Sequence, residues 1–454
     1  MVGLLDSPAG VYLHVPFCER ICPFCPYNKV RARQDLAVRY FAALGREVDA
    51  ITGEYRRRFG LPFSSLYVGG GTPTLYPEAL ADLLGRLPTT GERAVEVLPN
   101  HATPDRLDRL ATIGFSAVSI GAQSFDDGVL RHLGRPHDAA MARAAVDAAV
   151  GRFACVDVDL IVDVALERRG QDSVAAAGTF LRDVESCFAA GVDQVSTYPL
   201  MRFGYTPFGR AEHERGREHA VLAQVGDLAR AMGYERRSVW TFNRRGSAPF
   251  TSITRRRFLG MGAGATSVTG RDFLVNHFGV ATYAAAVEAG RLPLARWLHL
   301  GRWAGAAYDA FWQAYAGGVS PAVLAEAYGR DVGVTVRAAL APARWAGLVR
   351  RVDGDLRLTR KGFDVYHDLE RAVTYQFIEP LWAQMLREHA AEHADVAPSC
   401  GASAGVSALG RAVDLDGRRG SAASWARPEH ARRGRLWGAA RLVMERPVPQ
   451  PAGT

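Results

Sequence analysis

The strongest constraint on the fold is an alternation that runs through the first half of the chain. Val11–Val15, Ser65–Val68, Ala94–Val97, Ala117–Gly121, Val156–Val162 and Gln194–Tyr198 are short β-rich runs. Helical patterns follow them over Leu36–Ile51, Pro77–Leu84, Pro104–Ile113, Asp138–Val150, Ser173–Ala190 and Gly216–Met232. Strand then helix, with short links, means parallel βα units. Six such units predict an α/β fold, an incomplete (β/α)6 barrel, with its ligand groups at the carboxyl ends of the strands. Cys18, Gly69, Glu96, Gln123 and Asp159 all stand at or near such ends, so one mouth should gather them.

Directly after the first run comes Cys18-Glu19-Arg20-Ile21-Cys22-Pro23-Phe24-Cys25. Soft thiolates so closely spaced suit a metal ion or an iron–sulfur cluster. A [4Fe–4S] cluster normally takes four cysteines, and a local set of three leaves one iron open to a non-protein ligand. A zinc site completed by His14, and a disulfide, are the alternatives. Cys155 and Cys187 read as small buried hydrophobes. Gly69-Gly70-Gly71-Thr72-Pro73-Thr74 follows the second strand and precedes a helix opened by Pro77. Its glycines allow close backbone approach to a ligand, with N–H groups offered to a carboxylate.

A chain of 454 residues has room for a large domain and a smaller one. We expect a barrel domain over 1–290, an accessory domain over 291–395 and a disordered tail over 396–454. No uninterrupted apolar run approaches a membrane span. With no signal-peptide pattern and with thiols to be kept reduced, a cytoplasmic protein is expected, without membrane partners. The net charge of +8 does not argue for nucleic acid. Lys29 and Lys361 are the only lysines, and the tail from Ala397 carries nine Arg against four acidic residues, so most of the excess lies there. Ser320-Pro321 opens a helix, Asp353-Gly354 turns a hairpin, and the segment reads as winged-helix-like. Its stretch Val334–Ala343 holds only Arg337, so packing or a lid is expected rather than DNA binding.

Tyr12–Cys18, Gly69–Thr74, Ser119–Phe125, Gly134–His137, Asp159–Ile161, Gly260–Ser267 and Leu358–Gly362 together resemble the radical S-adenosylmethionine (SAM) superfamily. The likeness is to its oxygen-independent coproporphyrinogen III oxidase group. That resemblance implies a [4Fe–4S] cluster on Cys18, Cys22 and Cys25, whose open iron chelates SAM, and reductive cleavage of SAM to a 5′-deoxyadenosyl radical. It implies Tyr12 and Phe24 beside the cluster, and Gly70, Gly71 and Thr72 at the methionine end of SAM. Glu96, Gln123, Arg135 and Asp159 would contact ribose or carboxylate. An electron donor such as flavodoxin or ferredoxin is the implied partner.

Within the group, Cys25-Pro26-Tyr27-Asn28-Lys29 and Phe250–Arg257 depart from the decarboxylase and haem-chaperone patterns. Those departures favour the class C methyltransferases, which hold two SAM molecules and methylate or cyclopropanate an sp2 carbon of a small, natural-product-like substrate. Gly262–Ala265 and Tyr198–Phe203 would then line the second SAM. The alternatives are an oxidative decarboxylase, or a haem-binding protein without turnover, with His14, His101, His132, His137 and His277 as candidate ligands. Arg244, Arg245 and Arg255–Arg257 would suit substrate carboxylates.

Overall fold

The computed structural model describes residues 1–162, 173–209, 215–247 and 256–390. Six parallel strands run in chain order across one sheet: β1 Gly10–Val15, β2 Leu66–Gly70, β3 Arg93–Val97, β4 Ala117–Gln123, β5 Cys155–Ile161 and β6 Gln194–Tyr198. Helices Gln34–Phe59, Pro77–Arg86, Pro104–Ile113, Ala139–Ala149 and Ser173–Ala190 connect them. The first buries Tyr40, Leu44, Val48, Ile51 and Tyr55, a three- and four-residue rhythm that forms one stripe against the sheet. Each such side chain taken from water contributes roughly 1.5–3 kcal/mol. Caps punctuate the pattern. Asp138 accepts from the Met141 N–H, and Gly114, at φ 107°, ends the third helix.

The sheet extends on both sides and stays open instead of closing into a barrel. Beyond β6, Tyr234–Arg236 (β7) and Thr241–Arg244 (β8) form an antiparallel hairpin, β8 against β6. The chain reverses between β7 and β8, and the turn is closed by the Arg237 N–H on the Thr241 carbonyl at 3.0 Å. On the other side, Phe258–Met261 (β9) lies parallel to β1. Thr266–Val268 (β10), Asp272–Asn276 (β11) and Leu294–His299 (β12) follow it antiparallel. The expected boundary at 290 thus falls inside this sheet, because β12 pairs with β11 from Asp272↔His299 to Asn276↔Leu294.

Past β12 come helices Arg302–Tyr315, Pro321–Tyr328, Arg330–Ala339 and Ala341–Trp345, then the hairpin Val349–Val352/Asp355–Leu358. Asp353 and Gly354 both take positive φ at its turn (50° and 91°), the geometry that suits a two-residue hairpin. Helix Arg360–Val373, a single π turn Thr374–Ile378 and helix Glu379–Glu388 complete the described chain. This last stretch returns to the segment that follows β6. Glu379 accepts from the Gly204 N–H at 2.6 Å, and the Tyr375 hydroxyl accepts from the Arg202 N–H at 3.0 Å. The expected tail lies outside the described residues, and among those described no helix is long and apolar enough to cross a membrane.

Candidate functional site

At the carboxyl ends of β1–β6 lies a cavity of about 250 Å3, walled by all three loop cysteines and by Phe24, Gly70, Gly71, Thr72, Glu96, Gln123, Arg135 and Asp159. Residues more than 140 positions apart in sequence meet here because each terminates a parallel strand or follows one. All three cysteines are free thiols. Cys18 ends the short strand Phe17–Cys18, which pairs in parallel with Val30–Arg31, so the loop between them is pinned at both ends. Burial, then the neighbouring Cys25, pushes the Cys18 thiol up to about 12; ionisation there calls for a bound cation. Arg135 Nη1 donates to the Cys22 sulfur at 3.4 Å and Nη2 to the Gly121 carbonyl at 2.7 Å, while its buried Nε has no partner.

Glu96 accepts from the Tyr67 hydroxyl at 2.8 Å and the Gly70 N–H at 3.0 Å. Burial raises its carboxyl above the ordinary range in spite of both bonds. Asp159 accepts from Ser119 Oγ at 2.9 Å. Burial, then the charge of Asp157, raises it well above the carboxylate range. Asp157 lies one layer deeper, bonded through both oxygens by Ser196 Oγ at 2.9 Å, and burial pushes it up to about 7. Gln123 takes φ 70°, and the β4–β5 register slips between Ile120 and Gln123. That irregularity turns its side chain at the strand end, as bulges beside sites commonly do.

Several expectations need correction. Tyr12 is not in the cavity wall. Its hydroxyl meets His14 Nδ1 at 2.8 Å and its ring stacks on Tyr67 at 6.1 Å, which puts it one layer below the lining. The glycine run does not offer its N–H groups to a ligand carboxylate, because the protein itself takes them. The Gly70 N–H goes to Glu96, that of Gly71 to the Val15 carbonyl at 2.7 Å, and that of Thr72 to the Phe17 carbonyl at 2.7 Å. Acceptor edges remain, which suit an ammonium group better. Gly262–Ala265 packs inside the protein. A Cβ at Gly262 would meet the Tyr40 hydroxyl at 2.4 Å, and one at Gly264 the Asn28 amide at 2.6 Å. Tyr198–Met201 does line the cavity.

Three of the arginines expected to suit substrate carboxylates are committed elsewhere: Arg244 to Asp193, Arg256 to Asp309 and Arg257 to Asp6. Arg255 and most of the divergent Phe250–Arg257 run lie outside the described residues. His14 uses both ring nitrogens, on Tyr12 and on the Asn28 carbonyl at 2.9 Å, and His101 bonds Thr74 and Glu19. Neither has a nitrogen to spare for a haem iron or for zinc. Among the described residues no group of three or more His, Cys, Asp or Glu is placed to hold a single metal ion. Sequence reasoning passed over Tyr67, Ser119, Asp157 and Lys29. The two-residue period that puts Asp157 on the face of Asp159 was the available signal.

The donor set suits a thiolate-bound iron–sulfur cluster with a polar organic ligand beside it. Three free thiols, one with a guanidinium on its sulfur, share the cavity wall with two carboxylates that accept from hydroxyls. Comparison with known proteins agrees. Residues 12–162 match the model of the radical SAM superfamily. The oxygen-independent coproporphyrinogen III oxidase of Bradyrhizobium diazoefficiens is 28% identical over 323 residues, 64% of this chain and 70% of that protein. The heme chaperone HemW of Mycobacterium tuberculosis is 33% identical over 207 residues, 43% of this chain and 50% of its own length. The structure of coproporphyrinogen III oxidase (HemN) from Escherichia coli superposes with a TM-score of 0.68, at 21% identity, over 83% of this chain and 93% of that one.

Proposed function

We propose, from the premise that this chain carries a radical SAM domain, that it is an enzyme of coproporphyrinogen-oxidase type acting on a small carboxylated substrate. The cofactors are a [4Fe–4S] cluster and SAM, with Cys18, Cys22 and Cys25 as the cluster ligands. The observation that supports this most is the gathering of those thiols, Arg135, Glu96 and Asp159 around one cavity at the strand ends. When bound, cluster and SAM supply a carbon radical that removes hydrogen from substrate.

The protein's part is to bind, orient and exclude water. Glu96 and Asp159 accept from ribose hydroxyls, and the Gly70–Gly71 carbonyl edge accepts from an ammonium group. Phe24, packed with Phe208 at 6.4 Å, closes the side toward β5 and β6. Trp382, 5.7 Å from Tyr27 and 6.2 Å from Phe203, caps the rim. A small reduced electron carrier of the flavodoxin or ferredoxin kind completes the reaction in the cytoplasm.

The coproporphyrinogen III oxidases among the similar proteins favour oxidative decarboxylation over the methyl transfer expected from the sequence. Methyl transfer from a second SAM remains the second reading, favoured by the extension of the cavity to Pro199, Leu200 and Met201. Anaerobic reconstitution with SAM, with coproporphyrinogen III as probe, separates the two. 5′-Deoxyadenosine with a decarboxylated product supports the oxidase reading. 5′-Deoxyadenosine together with S-adenosylhomocysteine supports methyl transfer. Neither product, from protein carrying a full cluster, refutes both.

A further inference from the structure

Lys29 is one of only two lysines in a chain with 55 basic residues, and it is 6% exposed. It follows the third loop cysteine by four positions and lines the cavity with it. Its Nζ donates to the Cys25 carbonyl at 2.6 Å and the Tyr27 carbonyl at 3.2 Å, both in the cysteine loop. Among the described residues no carboxylate pairs with it. Buried ammonium groups are rare without an anion, because removing the charge from water costs several kcal/mol that neutral carbonyls only partly return. Two carbonyls satisfy two of its three N–H bonds and leave the positive charge uncompensated. The anion that belongs here is the one the same loop would create. Three thiolates on a cluster are negative, and they lie on the loop that folds round this ammonium.

Chain composition points the same way. Arg is used nearly everywhere else, yet this pocket holds the compact ammonium, set between two carbonyls. Lys361, the other lysine, reaches only the Ala346 carbonyl at 3.3 Å on the exposed face of the accessory segment.

We propose that Lys29 is a positioning residue that supplies a fixed counter-charge to the cluster, in addition to Arg135 on the Cys22 sulfur, and thereby raises its one-electron potential. This rests on the reading of Cys18, Cys22 and Cys25 as cluster ligands. Reduction adds an electron, taken from the low-potential donor, to an already anionic centre, and a cation in the loop favours the reduced form. Net charge and hydrogen bonding around the sulfurs are established levers on such potentials.

The test uses full-length protein reconstituted anaerobically, with iron and sulfide counted and the potential read by EPR during a dithionite titration. Lys29→Met keeps the length of the side chain without charge or donors. Lys29→Gln keeps donors without charge. Both are expected to shift the midpoint to more negative potential by a similar amount, while Lys361→Met leaves it unchanged. A wild-type potential in either neutral variant, at full cluster content, overturns the proposal. Should both neutral variants fold yet fail to hold the cluster, retention in Lys29→Arg supports the counter-charge, and failure of all three assigns a role in shape alone and overturns it. Wild-type protein that takes up no cluster would instead sink the ligand assignment itself, so the two failures are distinct.

Discussion

Gly71→Ala tests the packing on which the mouth depends. A Cβ at Gly71 would lie 2.5 Å from the Phe17 carbonyl oxygen, 2.8 Å from its carbon and 2.9 Å from its nitrogen. Ordinary contact begins at 3.4 Å, so the two segments must part by about 0.9 Å, the gap between 2.5 and 3.4 Å. All three of these neighbours are backbone atoms, and no change of rotamer relieves the clash. Phe17 is the residue before Cys18. The Gly71 side is held to it by two bonds of 2.7 Å, the Gly71 N–H on Val15 and the Thr72 N–H on Phe17. Separation strains both and displaces the first thiol. Overpacking of this kind costs roughly 1–3 kcal/mol. A displacement near 1 Å at reacting groups costs on the order of 100-fold in rate. Gly85→Ala is the control, since nothing lies within 4 Å of its Cβ, and in a helix it should stabilise by roughly 0.5–1 kcal/mol. Thermal melts, iron content and 5′-deoxyadenosine formation are read on both. A Gly71→Ala protein with wild-type melting and deoxyadenosine yield would show that Phe17 and Gly71 do not hold the loop as described.

Serine at Cys18, Cys22 or Cys25 should each abolish the iron–sulfur absorbance, whereas Cys187→Ser, at a fully buried core position, should keep it and lose only stability; iron and sulfide counts decide. Glu370 is buried and pushed up to about 7 from its ordinary 4.5. The native state holds its proton where the unfolded chain has released it, so stability is full below pH 4.5 and falls as pH rises to about 7, by about 3 kcal/mol at most. Glu370→Gln should flatten that slope in melts between pH 5.5 and 7.5, and an unchanged slope would refute the assignment. Trp382→Ala, which opens the rim, should raise deoxyadenosine formed per substrate turned over while leaving cluster content intact; product ratios by mass spectrometry check it.

The sheet was legible where side-chain period alone decides the state. β1–β6 are buried strands bounded by Gly, Pro or Asp, and the reading placed all six, with Gln194–Tyr198 matched residue for residue. β12 was not legible. Trp297, Leu300 and Trp303 sit at helical spacing, yet Leu294–His299 is an edge strand with no fully buried residue, and pairing with β11 rather than periodicity makes it one. The glycines misled for a related reason. A sequence says that a Cβ is missing but not what would fill its place. At Gly70 that is the His14 ring at 2.7 Å, at Gly262 it is Tyr40, and neither is a ligand.

The same contacts explain why the cysteine loop can be short and still be placed. His14 on β1 bonds the Asn28 carbonyl, and Asn28 Nδ2 donates to the carbonyls of Ala263 at 3.1 Å and Phe278 at 3.0 Å. Tyr40 on the first helix donates to the His14 carbonyl at 2.6 Å and accepts from the Ala263 N–H at 3.1 Å. Glu47 takes the Gly262 N–H at 2.9 Å and the Tyr283 hydroxyl at 2.5 Å. The loop is thus fastened at its exit to β1, to the β9–β10 turn and to Phe278, and the first helix in turn braces β1 and that turn. Its three thiols hang between two fixed ends, Cys18 in a strand and Asn28 in this lattice. The Gly262–Ala265 run therefore matters to the chemistry without touching it, since it holds the far end of the segment that carries the thiols.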